Sequence, residues 1–384
     1  MRRILIFSLV YYPRFVGGAE VAVKEITDRV SKDEIEFDMV TLRKQAPAFE
    51  RIGNINVYRV GTPWHGSNTK SSRIFPLSKI LFPYLAFKKA VELQKSKPYD
   101  AVWSIMASYG GFAAAKFKKR FPKVPLILTI QEGDNFGRRD GIFKPLFRKI
   151  FKAADKVQVI SNFLADWSKK MGATAPIVVV PNAVDFQPFS KPISEEQSLS
   201  LKNKLNKKEG DYFLITTSRL VPKNGIGDII ESLKFLTPNI KLLILGTGVL
   251  DSNLQSLVSN LGLVDRVQFL GFIAHSEMPK YLQISDIFIR PSLSEGFGNS
   301  FIEAMAAGIP VIATPVGGIV DFLQDGETGL FCEVRNPKSI AQKVEKFIKD
   351  KESREYIVRQ AKKMVEEKYQ WGRIAGEMKE ILVE

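Results

Sequence analysis

Between Pro291 and Gly318 the chain reads Pro-Ser-Leu-Ser-Glu-Gly-Phe-Gly-Asn-Ser-Phe-Ile-Glu-Ala-Met-Ala-Ala-Gly-Ile-Pro-Val-Ile-Ala-Thr-Pro-Val-Gly-Gly, and no other stretch restricts the fold as tightly. The order is strand, tight glycine loop, helix, strand and glycine turn, as parallel α/β folds require. Gly296 and Gly298 carry no Cβ, so the backbone there can approach a ligand closely. The helix is expected to start near Asn299. The free amides of its first turn and its dipole favour a phosphate. Glu295 in the loop and Glu303 on the helix add two carboxylates. A loop so equipped suits a polyhydroxylated ligand with a diphosphate in the middle, as in a nucleotide sugar.

Buried strand patterns alternate with amphipathic helices along the rest of the chain. The first half predicts strands over Ile4–Leu9, Phe37–Leu42, Asn56–Val60, Ala101–Ser104, Leu126–Thr129, Lys156–Ile160 and Ile177–Val180, with a helix over Glu20–Ser31. The second predicts strands over Phe213–Ser218, Lys241–Leu245, Val267–Leu270, Ile287–Arg290 and Val311–Ala313. Strands separated by helices imply parallel sheets covered on both faces. A length of 384 residues fits two domains. The polar stretch Lys191–Gly210 marks their boundary, giving residues 1–188 and 189–365, with a terminal amphipathic helix at about 366–384. Residues 61–79, rich in Gly, Pro, Ser and Lys, read as a mobile loop.

Glu295 and Glu303, set in Ser-Glu-Gly-Phe-Gly and Glu-Ala-Met-Ala-Ala-Gly-Ile-Pro-Val-Ile-Ala, resemble the signature of the retaining glycosyltransferase family GT4. The resemblance covers most of the chain. It includes Tyr12-Pro13, Gly17-Gly18-Ala19-Glu20, Pro181-Asn182-Ala183-Val184-Asp185, Ser218 to Lys223, Leu245 to Gly248 and Phe269-Leu270-Gly271. It implies the GT-B fold, an α/β architecture of two Rossmann-like domains facing across a cleft, with the terminal helix crossing back to the first domain. It also implies a retaining hexosyltransferase that needs no metal or other cofactor and uses a nucleotide sugar as co-substrate.

The same resemblance implies that Glu303 accepts hydrogen bonds from the two ribose hydroxyls. The plain alternative, a solvated helix carboxylate, sits poorly among Phe301, Ile302, Ala304, Met305 and Ala306. Glu295 is read as holding the hydroxyls of the transferred sugar, or else as capping the helix. Phe297, Gly298, Asn299 and Ser300 contribute to the donor site, the first three through backbone amides. Arg219 follows a strand at the carboxyl edge of its sheet, where a guanidinium can hold a diphosphate in bidentate fashion. Gly17 and Gly18 resemble family positions whose amides approach the leaving diphosphate. They also suit a tight turn with close helix–strand packing. Gly246 and Gly248 shape the nucleotide pocket, Ile273 presents backbone groups to the base, and Gly317-Gly318 forms a further anion-compatible turn.

Two places depart from the family pattern. Members often carry Glu-Lys-Gly where this chain has Lys223-Asn224-Gly225, so the expected phosphate-binding lysine is displaced by one position. Lys223 is assigned that role. Members also often place a His after the strand matching Leu126–Thr129, where this chain reads Ile130-Gln131-Glu132-Gly133-Asp134. Gln131 is then a candidate for the sugar, and Glu132 or Asp134 for the proton of the acceptor hydroxyl. A polar turn with no chemical role is the alternative.

Composition bears on partners. Residues 1–188 hold 31 of the 56 Lys and Arg but only 16 of the 41 Asp and Glu, which accounts for the whole net charge of +15. That half is expected to face something anionic. Aromatics interleave with cations in Lys79–Lys97, Lys116–Phe121 and Phe143–Lys152, a composition suited to a membrane surface or an anionic glycan, or to ordinary amphipathic helices. No nucleic-acid motif accompanies it. Met1 to Val10 reads as a first buried strand rather than a signal peptide. No apolar run reaches the roughly 20 residues of a membrane span, and the single Cys332 suits a reducing compartment. These features fit a cytoplasmic protein, peripheral on the membrane face; together with the family resemblance they imply a glycan or lipid-linked acceptor in cell-surface polysaccharide or glycolipid synthesis. The alternatives are a non-catalytic nucleotide-sugar-binding homologue and a GT-B epimerase or hydrolase.

Overall fold

The computed structural model describes residues 1–13, 15–43, 46–61, 75–133, 141 and 143–384. The chain forms two compact units, Met1–Asn182 with Trp371–Glu384, and Ala183–Gln370. Residues 183–190 join the second unit, ahead of the polar stretch at Lys191–Gly210. Val184 donates its amide to Tyr369 O at 2.9 Å, and Phe186 and Phe189 are buried.

The first unit is built on eight strands: β1 (Arg2–Phe7), β2 (Ile35–Leu42), β3 (Phe49–Ile52), β4 (Ile55–Val60), β5 (Ala101–Ile105), β6 (Leu126–Ile130), β7 (Lys156–Val159) and β8 (Ile177–Val179). Their order is β3-β4-β2-β1-β5-β6-β7-β8, and every pairing is parallel except β3 with β4. The inner strands are nearly continuous apolar runs because helices cover both faces. Helix α1 (Gly18–Asp28) follows β1, α2 (Phe75–Ser96) and α3 (Tyr109–Arg120) flank β5, and α4 (Lys144–Ala153) and α5 (Asn162–Lys170) flank β7. Residues 62–74 of the expected loop lie outside the described residues, and its last part is already helix α2.

The second unit has six strands, β9 (Tyr212–Thr217), β10 (Ile240–Leu245), β11 (Val267–Gly271), β12 (Ile287–Arg290), β13 (Val311–Ala313) and β14 (Leu330–Phe331). They are ordered β11-β10-β9-β12-β13-β14 and all parallel. Its helices are α6 (Phe186–Ser190), α7 (Glu195–Lys204), α8 (Ile226–Ser232), α9 (Asp251–Asn260), α10 (Met278–Gln283), α11 (Asn299–Ala306), α12 (Pro337–Lys349) and α13 (Lys351–Lys368). Leu214, Ile229, Ile244, Ile289, Val344 and Phe347 anchor its core.

The last helix, α14 (Trp371–Val383), returns to the first unit. Trp371, Ile374, Ala375, Met378, Ile381 and Leu382 form its buried stripe, at the spacing of one helix face. It packs on α1 and β5, and Lys379–Glu34 and Lys156–Glu384 ion pairs tie it down. Among the described residues no helix is long and apolar enough to cross a membrane.

Candidate functional site

In the second sheet, whose strands are all parallel, the order proceeds from β9 outward through β10 and β11 on one side and through β12, β13 and β14 on the other. The crevice beyond the carboxyl ends of β9 and β12 is therefore a topological switch point, where open α/β sheets take ligands. Arg219 and Lys223 follow β9, Gly246 and Gly248 follow β10, and Ile273 follows β11. Glu295 through Glu303 follow β12, and Gly317 follows β13.

Two of these residues meet across the switch point: Lys223 Nζ lies 3.7 Å from Glu295 Oε1. Asn224, which holds the place of the family lysine, is buried, and its side-chain amide donates to Arg219 O at 2.7 Å. The backbone of Lys223 is held in turn, because its carbonyl accepts from Leu293 N at 2.6 Å. Asn224 thus fixes the turn while the lysine beside it reaches the carboxylate. Arg219 is exposed at the end of β9.

The glycine loop is fastened at both ends by Arg290, the last residue of β12. Nη2 donates to Glu295 Oε2 at 2.7 Å and Nη1 to Ser300 Oγ at 2.6 Å. The guanidinium also stacks 4.2 Å from the Phe301 ring centroid. Burial pulls it below the ordinary arginine range, while the charges of Glu295 and Glu303 pull it back. Sequence reading treated Arg290 as scaffold. The available signal was a lone cation ending an otherwise apolar strand, one step before the loop.

Gly298 caps α11 at φ +103°, a left-handed conformation that a side chain rarely adopts. A Cβ there would also meet Phe301 Cδ2 at 2.6 Å and Arg290 Nη2 at 3.0 Å. Phe297 points into the core, with ring centroids of Phe322 and Tyr369 at 5.2 and 5.7 Å. The loop is thereby anchored, and α11 begins at Asn299. One turn on, Glu303 has a partner that sequence reading missed: His275 Nε2 lies 3.1 Å from its Oε1. Gly317 packs against the loop backbone, and Gly318 N donates to Glu295 O at 3.1 Å. Gly246 and Gly248 pass close to Ser218 O and Leu220 O, where a Cβ would collide at 1.9 and 2.3 Å. Ile273 is half-buried just beyond β11.

The remaining candidates belong to the first unit. Gly17 and Gly18 open α1 at the carboxyl edge of the sheet, and Gly17 N donates to Glu20 Oε2 at 2.9 Å. Gln131 and Glu132 follow β6. Glu132 is buried, with Oε1 accepting from Ala107 N at 2.7 Å and Oε2 from Gln131 N at 3.0 Å. Both oxygens are engaged by backbone, so Glu132 holds the turn between β5 and α3 rather than offering a free base. Gln131 Oε1 is buried with no hydrogen-bond partner among the described residues. Asp134 lies outside the described residues. Among those described, no group of three or more His, Cys, Asp or Glu is placed to hold a metal ion.

Residues 16–187 match the family model described as Glycosyltransferase Family 4, and residues 198–364 match Glycosyl transferases group 1. An uncharacterized glycosyltransferase of Methanocaldococcus jannaschii is 28% identical over 96% of this chain and 94% of its own. A GDP-mannose-dependent alpha-(1-6)-phosphatidylinositol monomannoside mannosyltransferase of Mycobacterium tuberculosis is 25% identical over 63% of this chain and 65% of its own. Among solved structures, Anabaena HepE in complex with UDP and glucose superposes with a TM-score of 0.80 at 20% identity, covering 100% of this chain and 99% of that one.

Proposed function

Because the chain is a GT4-type glycosyltransferase of the GT-B fold, we propose that it moves a hexose from a nucleotide sugar to a glycan or lipid-linked acceptor, with retention of configuration and without a metal. The observation that carries this reading is the meeting of Lys223 and Glu295 at the switch point, beside the start of α11. A diphosphate there would face the Lys223 ammonium, the Arg219 guanidinium and the first-turn amides of α11. Charge growing on the leaving nucleotide would be stabilised by these fixed groups. Glu303 would take the ribose hydroxyls and Glu295 those of the sugar. Retention follows the family's route, in which the acceptor hydroxyl enters on the face that the diphosphate leaves.

In the first unit, Gln131 offers a polar contact for the sugar, and Gly17 and Gly18 offer amides for the diphosphate. An acceptor at an anionic membrane surface is supported by Leu77, Ile80, Leu81 and Tyr84, exposed on α2, and by Leu146 on α4. Lysines stand among them, with Lys116 Nζ 4.9 Å from the Tyr84 ring centroid. Such surfaces enter the headgroup region and are drawn by anionic lipid.

The test is calorimetric titration with UDP-, GDP- and ADP-sugars, Glu303→Ala as control, and mass spectrometry of products with a lipid extract as acceptor source. Selective binding lost in the variant, with a glycosylated product, is expected. Binding without any product supports the non-catalytic alternative. Free or epimerised sugar supports a hydrolase or epimerase, and no binding to any donor overturns the proposal.

A further inference from the structure

We infer that Arg290 is a positioning residue, one buried cation that aims the Glu295 carboxylate and fixes the start of α11 together. The inference rests on the proposed role of Glu295 toward the transferred sugar. Arg290 spans the loop from inside, bonded to Glu295 before the glycines and to Ser300 after them. Its side chain is 7% exposed, and that of Glu295 12%. Little water reaches either partner, so removing Arg290 leaves the largely buried carboxylate with Lys223, at 3.7 Å, as its one ion-pair partner among the described residues. The planar guanidinium reaches two acceptors on separate nitrogens while stacking on Phe301, which an ammonium cannot reproduce.

The position also has an electrostatic use. Glu295 and Glu303 are both negative, and the charges of both act on Arg290. With Lys223 on the far side of Glu295, the sugar-facing carboxylate stands between two cations of different exposure to ligand. Lys223 can turn to a phosphate when the donor arrives, whereas Arg290 is locked by packing and stays with the carboxylate. Donor binding can thus take one cation from Glu295 without releasing its geometry.

Two experiments test this. The first needs no donor: hydrogen exchange of the free protein, comparing the parent with Arg290→Met and with Ser300→Ala. Faster exchange confined to residues 295–301, larger in Arg290→Met, is expected. Unchanged exchange, or acceleration spread evenly over the second unit, would overturn the inference, and Ser300→Ala still reports if Arg290→Met fails to fold. The second is steady-state kinetics with whichever of UDP-glucose, GDP-mannose or ADP-glucose is turned over. Arg290→Met should lower kcat at least tenfold with donor KM within about threefold, Arg290→Lys should recover part of it, and Glu295→Gln combined with Arg290→Met should be no worse than Arg290→Met alone. Additive losses would overturn the coupling. Loss of no activity in Glu295→Gln itself would instead overturn the role assigned to Glu295.

Discussion

His275 Nε2 stands 3.1 Å from Glu303 Oε1, so the carboxylate assigned to the ribose already holds a side-chain partner. The two differ in exposure, 64% for His275 against 15% for Glu303, and the imidazole rests edge-on against Phe189 at 5.5 Å. An exposed pair of this kind is worth about 0–1 kcal/mol, so a ribose diol can replace the histidine at small cost. His275→Ala is expected to tighten nucleotide binding by less than about fivefold. Glu303→Ala removes charge-assisted hydrogen bonds of about 1.5–3 kcal/mol and is expected to weaken it at least tenfold. Calorimetry on both variants checks this; a large loss in His275→Ala would make the histidine a ligand contact rather than a displaced one.

Lys223 and Asn224, neighbours in the turn after β9, make different contacts. Lys223 points to Glu295, while Asn224 holds the turn through Arg219 O. Lys223→Met should therefore lower turnover by about 100-fold, the scale of losing one fixed transition-state contact, with little change in melting. Asn224→Ala removes one of the hydrogen bonds to Arg219 O, which keeps Val221 N at 2.9 Å, a loss of about 0.5–1.5 kcal/mol. It should lower the melting temperature by a few degrees, with a smaller loss of turnover. The reverse pattern would show that Asn224 carries the chemistry.

The glycine loop was legible because its chemistry is local: Glu295, Gly298 and the start of α11 at Asn299 lie within a few residues of one another. The inner strands were legible for a related reason, since runs such as Ile4–Phe7 are buried on both faces. The antiparallel edge strand β3 was missed because half of it faces out and it carries no apolar run. Strand β14 is only two residues long, too short to show a period. Arg290 and His275 were illegible as site residues because their partners come from tertiary placement: a cation ending a strand and a histidine on a 3-10 turn announce nothing alone. Glu132 misled for the same reason. A polar residue after a strand looks available until Ala107 N is found on it.

Glu132 and Gln131 make that contrast measurable. Glu132→Gln would set an amide NH2 against one of two backbone donors, costing about 1–3 kcal/mol. A fall of several degrees in melting temperature is expected. Gln131→Ala removes a buried oxygen that has no hydrogen-bond partner among the described residues, so melting should hold or rise while turnover falls. If Gln131→Ala leaves turnover intact, the residue belongs to the turn and not to the sugar.

Alkaline pH should loosen the glycine loop after β12 through Tyr369, whose ring packs on Phe297. Burial, then the charge of Asp321, raises its phenol from 10.0 to about 12. A raised folded pKa means that the neutral form is favoured in the fold. Its contribution is complete below pH 10 and is lost as pH rises toward 12. Cys332, raised by burial from 9.0 to about 12, and Tyr12, raised to about 12, act in the same direction. Melting temperature should fall progressively above about pH 9–10, and less steeply in Tyr369→Phe. A parallel fall in that variant would remove Tyr369 from the account.

Gly317 and Gly308 separate backbone strain from close approach. Both have positive φ, +58° and +75°, so alanine at either meets the left-handed cost of about 1–2 kcal/mol. Around Gly308 nothing lies within 4 Å of an added Cβ, whereas at Gly317 it would fall 1.8 Å from Glu295 O. Gly308→Ala should lower melting by a few degrees and leave donor binding alone. Gly317→Ala must push the Glu295 backbone aside, so it should melt lower still and bind the donor at least tenfold more weakly. Equal behaviour of the two variants would mean that the loop yields at Glu295 without disturbing the site, and that the contact between Gly317 and Glu295 only packs the turn.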